Sequence, residues 1–488
     1  MVYKSQYISV FILVIFKYVL TKGTSFKVWG PGLKPDLIVM PARYFFIHIN
    51  DGDSCSENLL DVHIEGSTPT RPNCRILKNI LRTSNCTFII RYKLYETCDH
   101  LKISIKYDDR DIKMSPFKIN NWIYPEECYC PIANMETFLD NWECGNIPDQ
   151  VIKDLSIFES INFDVLRDKI ISKYNSPGAI SLCHYTITNN KIYRTCYGKH
   201  VGFNMFMDNI LLSLSRKIVL PDMEFFVNLG DWPLVKDIND HFPIFSWCGS
   251  TDTFDIVLPT YDITQSTLEN MGRVTMDMLS VQGNVEYKWE DRIPKAFWRG
   301  RDSNRERLRL IELSKKHPLL LNASLTNFFF FRNEEHLYGP KTEHISFFKF
   351  FDYKYQVSVD GTVAAYRFPY LLAGGSLLMK QESKYYEHFY NDLTPGVHYL
   401  SVKADLSDVI EKINWALKND AQSQKIANTG QNFAVNNLLP KNIFCYHVHL
   451  LNEFSKKIVN KISVLNDAEL IANKINDCNC NTNNKDEL

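Results

Sequence analysis

The sequence predicts a multidomain chain, a β-sandwich of about a hundred residues followed by an α/β unit built as two Rossmann-like halves. Three observations predict it. From about Phe26 to Asn120, short apolar runs recur between Gly, Pro, Asp and Asn turn clusters, the alternation of a sandwich. Beyond that point strands alternate with helices, the pattern of α/β layers with mainly parallel sheets. The 488 residues are 45% hydrophobic and 13% aromatic, enough for two or three cores, and so long an α/β stretch favours two sheets over one.

In chain order, MVYKSQYISVFILVIFKYVL carries Lys4, an apolar run from Tyr7 to Phe16, and small or polar Gly23, Thr24 and Ser25 behind it. This is the layout of a cleaved signal peptide over residues 1–24; the run is too short for a bilayer span of about 20 residues, so no membrane span is expected after cleavage. The sandwich, residues 25–120, is read from runs such as Leu37-Ile38-Val39, Tyr44 to Ile49, Thr87 to Ile90 and Leu101 to Ile105. Pro125 to Pro131 reads as a linker. The α/β unit, residues 121–460, contains strands at Met223 to Leu229, Ala296 to Gly300 and Ser376 to Lys380, with helices from Asn304 and from Val363 to Leu372. A polar tail, 461–488, is too polar to add much core and ends Lys485-Asp486-Glu487-Leu488, the receptor-read return signal of the endoplasmic reticulum. Lumenal residence and binding to the Lys-Asp-Glu-Leu receptor are therefore expected.

Thirteen cysteines suit an oxidising compartment, and their odd number leaves at least one thiol free or paired between chains. Cys55, Cys74, Cys86 and Cys98 are expected to staple the sandwich locally. Cys128-Tyr129-Cys130 and Cys478-Asn479-Cys480 could be metal-ligand pairs, but no His/Cys partner stands at zinc spacing, which favours disulfides. Asn85-Cys86-Thr87 and Asn322-Ala323-Ser324 are glycan-acceptor sequences at Asn85 and Asn322.

With 55 basic against 56 acidic side chains, no global field attracts nucleic acid, so any anion site is a local cluster. One stands in AFWRGRDSNRERLRL, with Arg299, Arg301, Arg305, Arg307 and Arg309 around Gly300. Ser303 and Glu306 have capping-box spacing, which places a helix N-terminus just after a strand, where free N–H groups and the helix dipole favour phosphate. Arg305 and Arg309 read as a solvated face; Arg299 and Arg307 are the stronger anion candidates. In DGTVAAYRFPYLLAGG, small residues behind Gly361 surround Arg367, either a core ion pair or a second clamp on the same anion. In LPDMEFFVNLGDWP, Asp231 ends an apolar strand beside Trp232-Pro233, as a turn residue or as a general base tuned by partial burial. Together these parts fit transfer from a diphosphate-activated donor with one base, hence inversion at the transferred carbon. The D-x-D pairs Asp51-Gly52-Asp53 and Asp109-Arg110-Asp111 fall in the sandwich as turns, so no catalytic metal or other cofactor is expected.

VWGPGLKP and the closing SPFKIN resemble the filamin-type immunoglobulin-like repeat. The motifs LPDMEFFVNLGDWP, FWRGRDSNRERL, LTNFFFFR, DGTVAAYRFPYLL and YYEHFYNDLTPGVHYLSVKADLSD, in this order, resemble the protein O-glucosyltransferases, specifically their branch with a Lys-Asp-Glu-Leu end. The resemblance implies a two-domain GT-B architecture, UDP-glucose as donor, and serine in epidermal-growth-factor-like repeats of Notch or fibrillin type as acceptor. It further implies that Asp231 is the base and that Arg307 and the segment Thr362, Val363, Ala364, Ala365, Tyr366 and Arg367 bind the donor. For Gly300 and Arg301 it implies a backbone contact. Acceptor choice and glucose against xylose stay open, because the stretch between Tyr261 and Trp289 departs from the pattern of a smaller family member. The rival reading is a non-catalytic lumenal protein that binds glycans or senses folding on the same scaffold.

Overall fold

A computed structural model describes residues 25–50, 55, 57–176, 182–199, 202–240, 242–269, 271, 276–472, 478 and 480. The expected signal peptide, Asp51-Gly52-Asp53 and the C-terminal tetrapeptide lie outside the described residues.

Eight strands form the first unit: β1 (Ser25–Trp29), β2 (Arg43–Asn50), β3 (Leu60–Ser67), β4 (Ile76–Arg82), β5 (Thr87–Leu94), β6 (His100–Tyr107), β7 (Arg110–Asp111) and β8 (Phe117–Ile119). One sheet runs β1-β2-β5-β4, the other β3-β6-β7 with β8 on β6. Their alternate residues Phe45, Ile47, Val62, Phe88, Ile90 and Ile103 fill the space between them, as a two-residue period dictates. Cys55–Cys86 and Cys74–Cys98 staple it. The other face of β2 is buried too, since Tyr44 and Phe46 join the core of the α/β unit. Arg91 on β5 donates to Asp277 and Ser280 of that unit at 3.1 Å each.

The α/β unit continues with α1 (Met135–Asn141), α2 (Asp149–Leu155), α3 (Phe163–Tyr174), β9 (Leu182–Thr188), β10 (Lys191–Tyr197), α4 (Asn204–Ser215), β11 (Met223–Asn228), β12 (Ile244–Ser246), β13 (Gly249–Ser250), β14 (Ile256–Val257), α5 (Tyr261–Glu269) and α6 (Met278–Gly283). A second lobe follows with β15 (Ile293–Arg301), α7 (Arg305–Lys316), β16 (Leu321–Asn327), α8 (Glu335–Tyr338), β17 (Tyr353–Ser358), α9 (Phe368–Ala373), β18 (Leu377–Gln381), β19 (Tyr385–Tyr386), β20 (Leu400–Val402), α10 (Val409–Lys418) and α11 (Asp420–Asn437). The chain then returns through α12 (Pro440–Ser455) and β21 (Glu469–Ile471) to the first lobe.

The second lobe has the expected parallel sheet, in the order β16-β15-β17-β18-β20. The first lobe does not. Its sheet, β14-β12-β11-β9-β10-β21, is parallel only through β14, β12 and β11. Asn189 and Asn190, both at positive φ, turn β9 directly into β10 and make that pair antiparallel. Two antiparallel residues of β13 and β19 bridge the lobes.

The expected linker is a stitched junction. The Glu126 carboxylate is buried among Ser213, Arg216 and Lys217, and Cys128 and Cys130 bond to Cys478 and Cys480. Those bonds and β21 join Cys478, Cys480 and residues 469–471 of the polar tail to the α/β unit. Cys144–Cys445 and Cys183–Cys196 complete the pairing, leaving Cys248 as a free, buried thiol. Among the described residues, no helix is long and apolar enough to cross a membrane.

Candidate active site between the two lobes

In the second lobe, the chain leaves β15 toward β16 on one side and re-enters the sheet as β17 on the other. Strand order therefore reverses between β15 and β17, and the crevice at their C-terminal ends is where open α/β sheets take ligands. Both arginine-bearing segments open there.

After β15, α7 is capped by Asn304, whose carboxamide oxygen accepts from Arg307 N at 3.0 Å. The expected cap was Ser303. Asn304 displaces it because its extended backbone starts the helix one residue later, and its Nδ2 also donates to the carbonyls of Asp360 and Gly361. Ser303 Oγ instead accepts from Arg307 Nη1 at 3.1 Å. Arg307 further reaches the carbonyls of Arg301, Val359 and Asp360, so it clasps the two loops together. Gly361 permits this: a Cβ there would stand 3.3 Å from Arg307 Nη2.

The helix expected from Val363 to Leu372 does not start until Phe368: residues 363–367 are not helical, and α9 begins at Phe368 with Arg367 at its cap. Pro369 explains the shift, since it has no N–H to bond the carbonyl four residues back and its ring would clash with that carbonyl, so it sits only in a first turn. Val363, Ala364 and Ala365 are buried, and Val363 and Ala364 pack on Cys248 of the first lobe, with Tyr366 alongside. Arg367 donates to the Arg299 carbonyl.

Burial is the largest cause lowering both the Arg307 guanidinium, to about 9, and that of Arg367, to about 10; the neighbouring arginines lower each of them further. Arg301 is exposed and adds to that repulsion. Among the described residues none of the three is ion-paired. Three unpaired like charges at the end of a capped helix form a site that a diphosphate would relax.

Arg299 stands apart. Its guanidinium lies on the Phe297 ring, 4.4 Å from the centroid, and donates to the carbonyls of Trp298 and Asn322 and to Asn322 Oδ1. A register shift between Gly300 and Arg301 explains why two arginines two positions apart have different surroundings. Gly300 lies within β15, not in a turn, and is required by Trp298, whose ring would meet a Cβ at 2.6 Å. Asn322 also donates to Tyr353 Oη at 3.0 Å; its amide is engaged inside the sheet and is not an open glycan acceptor. Asn85, by contrast, is exposed on the β4–β5 turn. Arg305 pairs with Glu334 on the surface and Arg309 is exposed, as a solvated face requires.

From the first lobe, β11 delivers Asp231. Asn228 at the strand end accepts from Gly230 N and donates to the Trp232 carbonyl and Ser246 Oγ, fixing the turn. Asp231 is half-buried, with Trp232 exposed beside it. Burial raises its carboxyl above the usual range, while hydrogen bonds from Tyr261 and Thr362 and the Arg301 charge pull it back. Two of these three partners belong to the other lobe, so the aspartate faces the arginine cluster across the cleft. Tyr261 Oη lies 3.3 Å from Asp231 Oδ1.

Several participants gave no signal in the sequence. Tyr261 and Asp262, the latter raised to about 6 by burial and facing Arg367, lie at the start of the stretch assigned to acceptor choice. Asp302 accepts from Phe329 N and Phe331 N at 2.7 and 2.6 Å, holding the LTNFFFFR turn beside Arg301. Only the position of Asp302, next to a recognised arginine, could have drawn notice.

The model of glycosyl transferase family 90 matches residues 140–488, and that of the filamin/ABP280 repeat matches residues 21–118. The chain belongs to glycosyl transferase family 90. This family member is 48% identical to Protein O-glucosyltransferase 2 of Danio rerio, over 91% of this chain and 89% of that protein. It is 43% identical to Protein O-glucosyltransferase 3 of Homo sapiens, over 93% and 91% of the two chains. To Protein O-glucosyltransferase 1 of Homo sapiens it is 31% identical over 56% of this chain and 72% of that protein. It is a glycosyltransferase with an N-terminal filamin-like repeat, and these curated relatives are protein O-glucosyltransferases.

Proposed function

We propose that this family 90 enzyme transfers glucose from UDP-glucose, with inversion, to a serine of an epidermal-growth-factor-like repeat in the lumen of the endoplasmic reticulum. The observation that carries the reading is the placement of Asp231 on one lobe opposite Arg301, Arg307 and Arg367 on the other. A serine hydroxyl entering beside Trp232 would give its proton to Asp231 as its oxygen bonds to the sugar C1. The bond from C1 to the diphosphate breaks on the opposite face, and the departing charge meets Arg301, Arg367 and the N-terminus of α7. Arg307 spends most of its donors on the loops, so its part is the fixed charge and the rigidity of the cradle. Thr362 holds the Asp231 carboxylate, and Val363 to Tyr366 line the approach of the donor. No metal is needed where guanidinium groups neutralise the diphosphate.

The lumenal assignment rests on the two terminal signals and is supported by six disulfides. The test is transfer from UDP-glucose and UDP-xylose to folded epidermal-growth-factor-like repeats, read by mass spectrometry, with Asp231→Asn beside the wild type. A hexose added by the wild type and lost in the folded variant supports the reading. Retained transfer in Asp231→Asn removes the base, and no transfer by either protein leaves the glycan-binding scaffold.

A further inference from the structure

The filamin-like repeat meets the second lobe across a cleft of about 690 Å³, large enough for a small oligosaccharide. The Asn85 turn forms its rim. That turn is held by its own bonds: Thr83 Oγ1 donates to Asn85 Oδ1 and accepts from Thr87 N, Thr83 N donates to the Thr87 carbonyl, and Cys86 is bonded to Cys55. Asn85 itself is exposed at its tip.

The facing wall is α11. Gln424, Asn428 and Asn432 recur every four residues and so share one helix face toward the cleft, with Gln431 beside them. Gln424 and Gln431 are engaged with Glu290 and the Ala373 carbonyl. Asn428 and Asn432 are exposed, and their carboxamides have no partner among the described residues. A carboxamide offers two donors and an acceptor, the complement of sugar hydroxyl and N-acetyl groups. Lys27, Lys288, Glu290 and Arg292 also line the cleft, but the carboxamides left without partners opposite a glycan-acceptor sequence are matched to the hydroxyl and N-acetyl groups of a saccharide.

We propose that Asn85 carries an N-linked glycan whose first sugars lie in this cleft against Asn428 and Asn432, joining the filamin-like repeat to the catalytic unit. The proposal rests on the lumenal reading above but not on the transfer reaction. The full chain, produced through a secretory pathway, is tested by peptide mapping at Asn85. A glycosidase that cuts between the first two sugars is then applied to native and denatured protein. Asn85 is expected to be occupied, with release from the native protein about tenfold slower than from the denatured one, an opening cost of ~1.4 kcal/mol. The double variant Asn428→Ala/Asn432→Ala is expected to lose that protection while glucose transfer is unchanged. An unmodified Asn85 in secreted, active enzyme overturns the proposal, as does equal release from native and denatured protein. Protection that survives in the double variant overturns the role of α11. Transfer measured on the same preparation reports separately on the proposed reaction.

Discussion

Replacing Tyr261 by Phe tests whether Asp231 is the base without removing the carboxylate. The phenol donates to Asp231 Oδ1 at 3.3 Å, and burial, which raises the carboxyl, is opposed by this bond, by Thr362 and by Arg301. Loss of the phenol removes one of three interactions that favour the charged form, so the pKa must rise. A hydrogen bond to a charged group contributes roughly 1.5–3 kcal/mol. At the long end of the distance range about 1 kcal/mol is appropriate, which at ~1.4 kcal/mol per pKa unit is a rise of about 0.7 unit. A base works deprotonated, so the acid limb of kcat/KM against pH should move upward by roughly that amount, with the alkaline plateau retained within about twofold. Initial rates with UDP-glucose and a folded acceptor repeat, measured over about pH 4 to 8, give both quantities. A limb that stays in place or moves down refutes the assignment of Asp231 as the titrating base.

Arg301→Ala should weaken UDP binding about tenfold, on a charge-assisted bond of ~1.5 kcal/mol or more, with the melting temperature unchanged because the side chain is exposed; Arg307→Ala should lose both affinity and stability, since it unclasps two loops, and calorimetry separates the two outcomes. Glu387 is fully buried, and burial raises its carboxyl to about 8, so the folded chain keeps a proton that the unfolded chain releases near about pH 4.3. Its contribution is present below that pH and is lost as pH rises through 8, at up to ~1.4 kcal/mol per unit. Glu387→Gln should therefore flatten the fall in denaturation midpoint between about pH 5 and 8. Arg91→Ala leaves the buried Asp277 carboxylate without its ion-pair partner and should destabilise the contact between repeat and catalytic unit by about 3–5 kcal/mol, read by chemical denaturation.

Features set by neighbours in the sequence were legible. The sandwich period, the strand-to-helix passage around Arg301 and the strand-end turn of Asp231 each depend on a few consecutive residues, and the disulfides were legible in the cysteine count. Local rules also failed locally: the cap moved from Ser303 to Asn304 because the latter binds the carbonyls of Asp360 and Gly361, contacts no local motif records. Pro369 could have warned that Arg367 precedes a helix and does not lie within one.

What the sequence alone determined is the set of chemical groups: an aspartate in a turn, arginines at a helix start, and cysteines in excess. Which arginines face the cleft was decided by tertiary structure. A register shift separates Arg301 from Arg299, and Arg299 is drawn to Asn322 of a neighbouring strand. Tyr261 reaches Asp231 from an element thirty residues away. The physical reason is that charge and pKa depend on burial and on neighbours within a few ångströms, and those neighbours are set by the packing of two lobes.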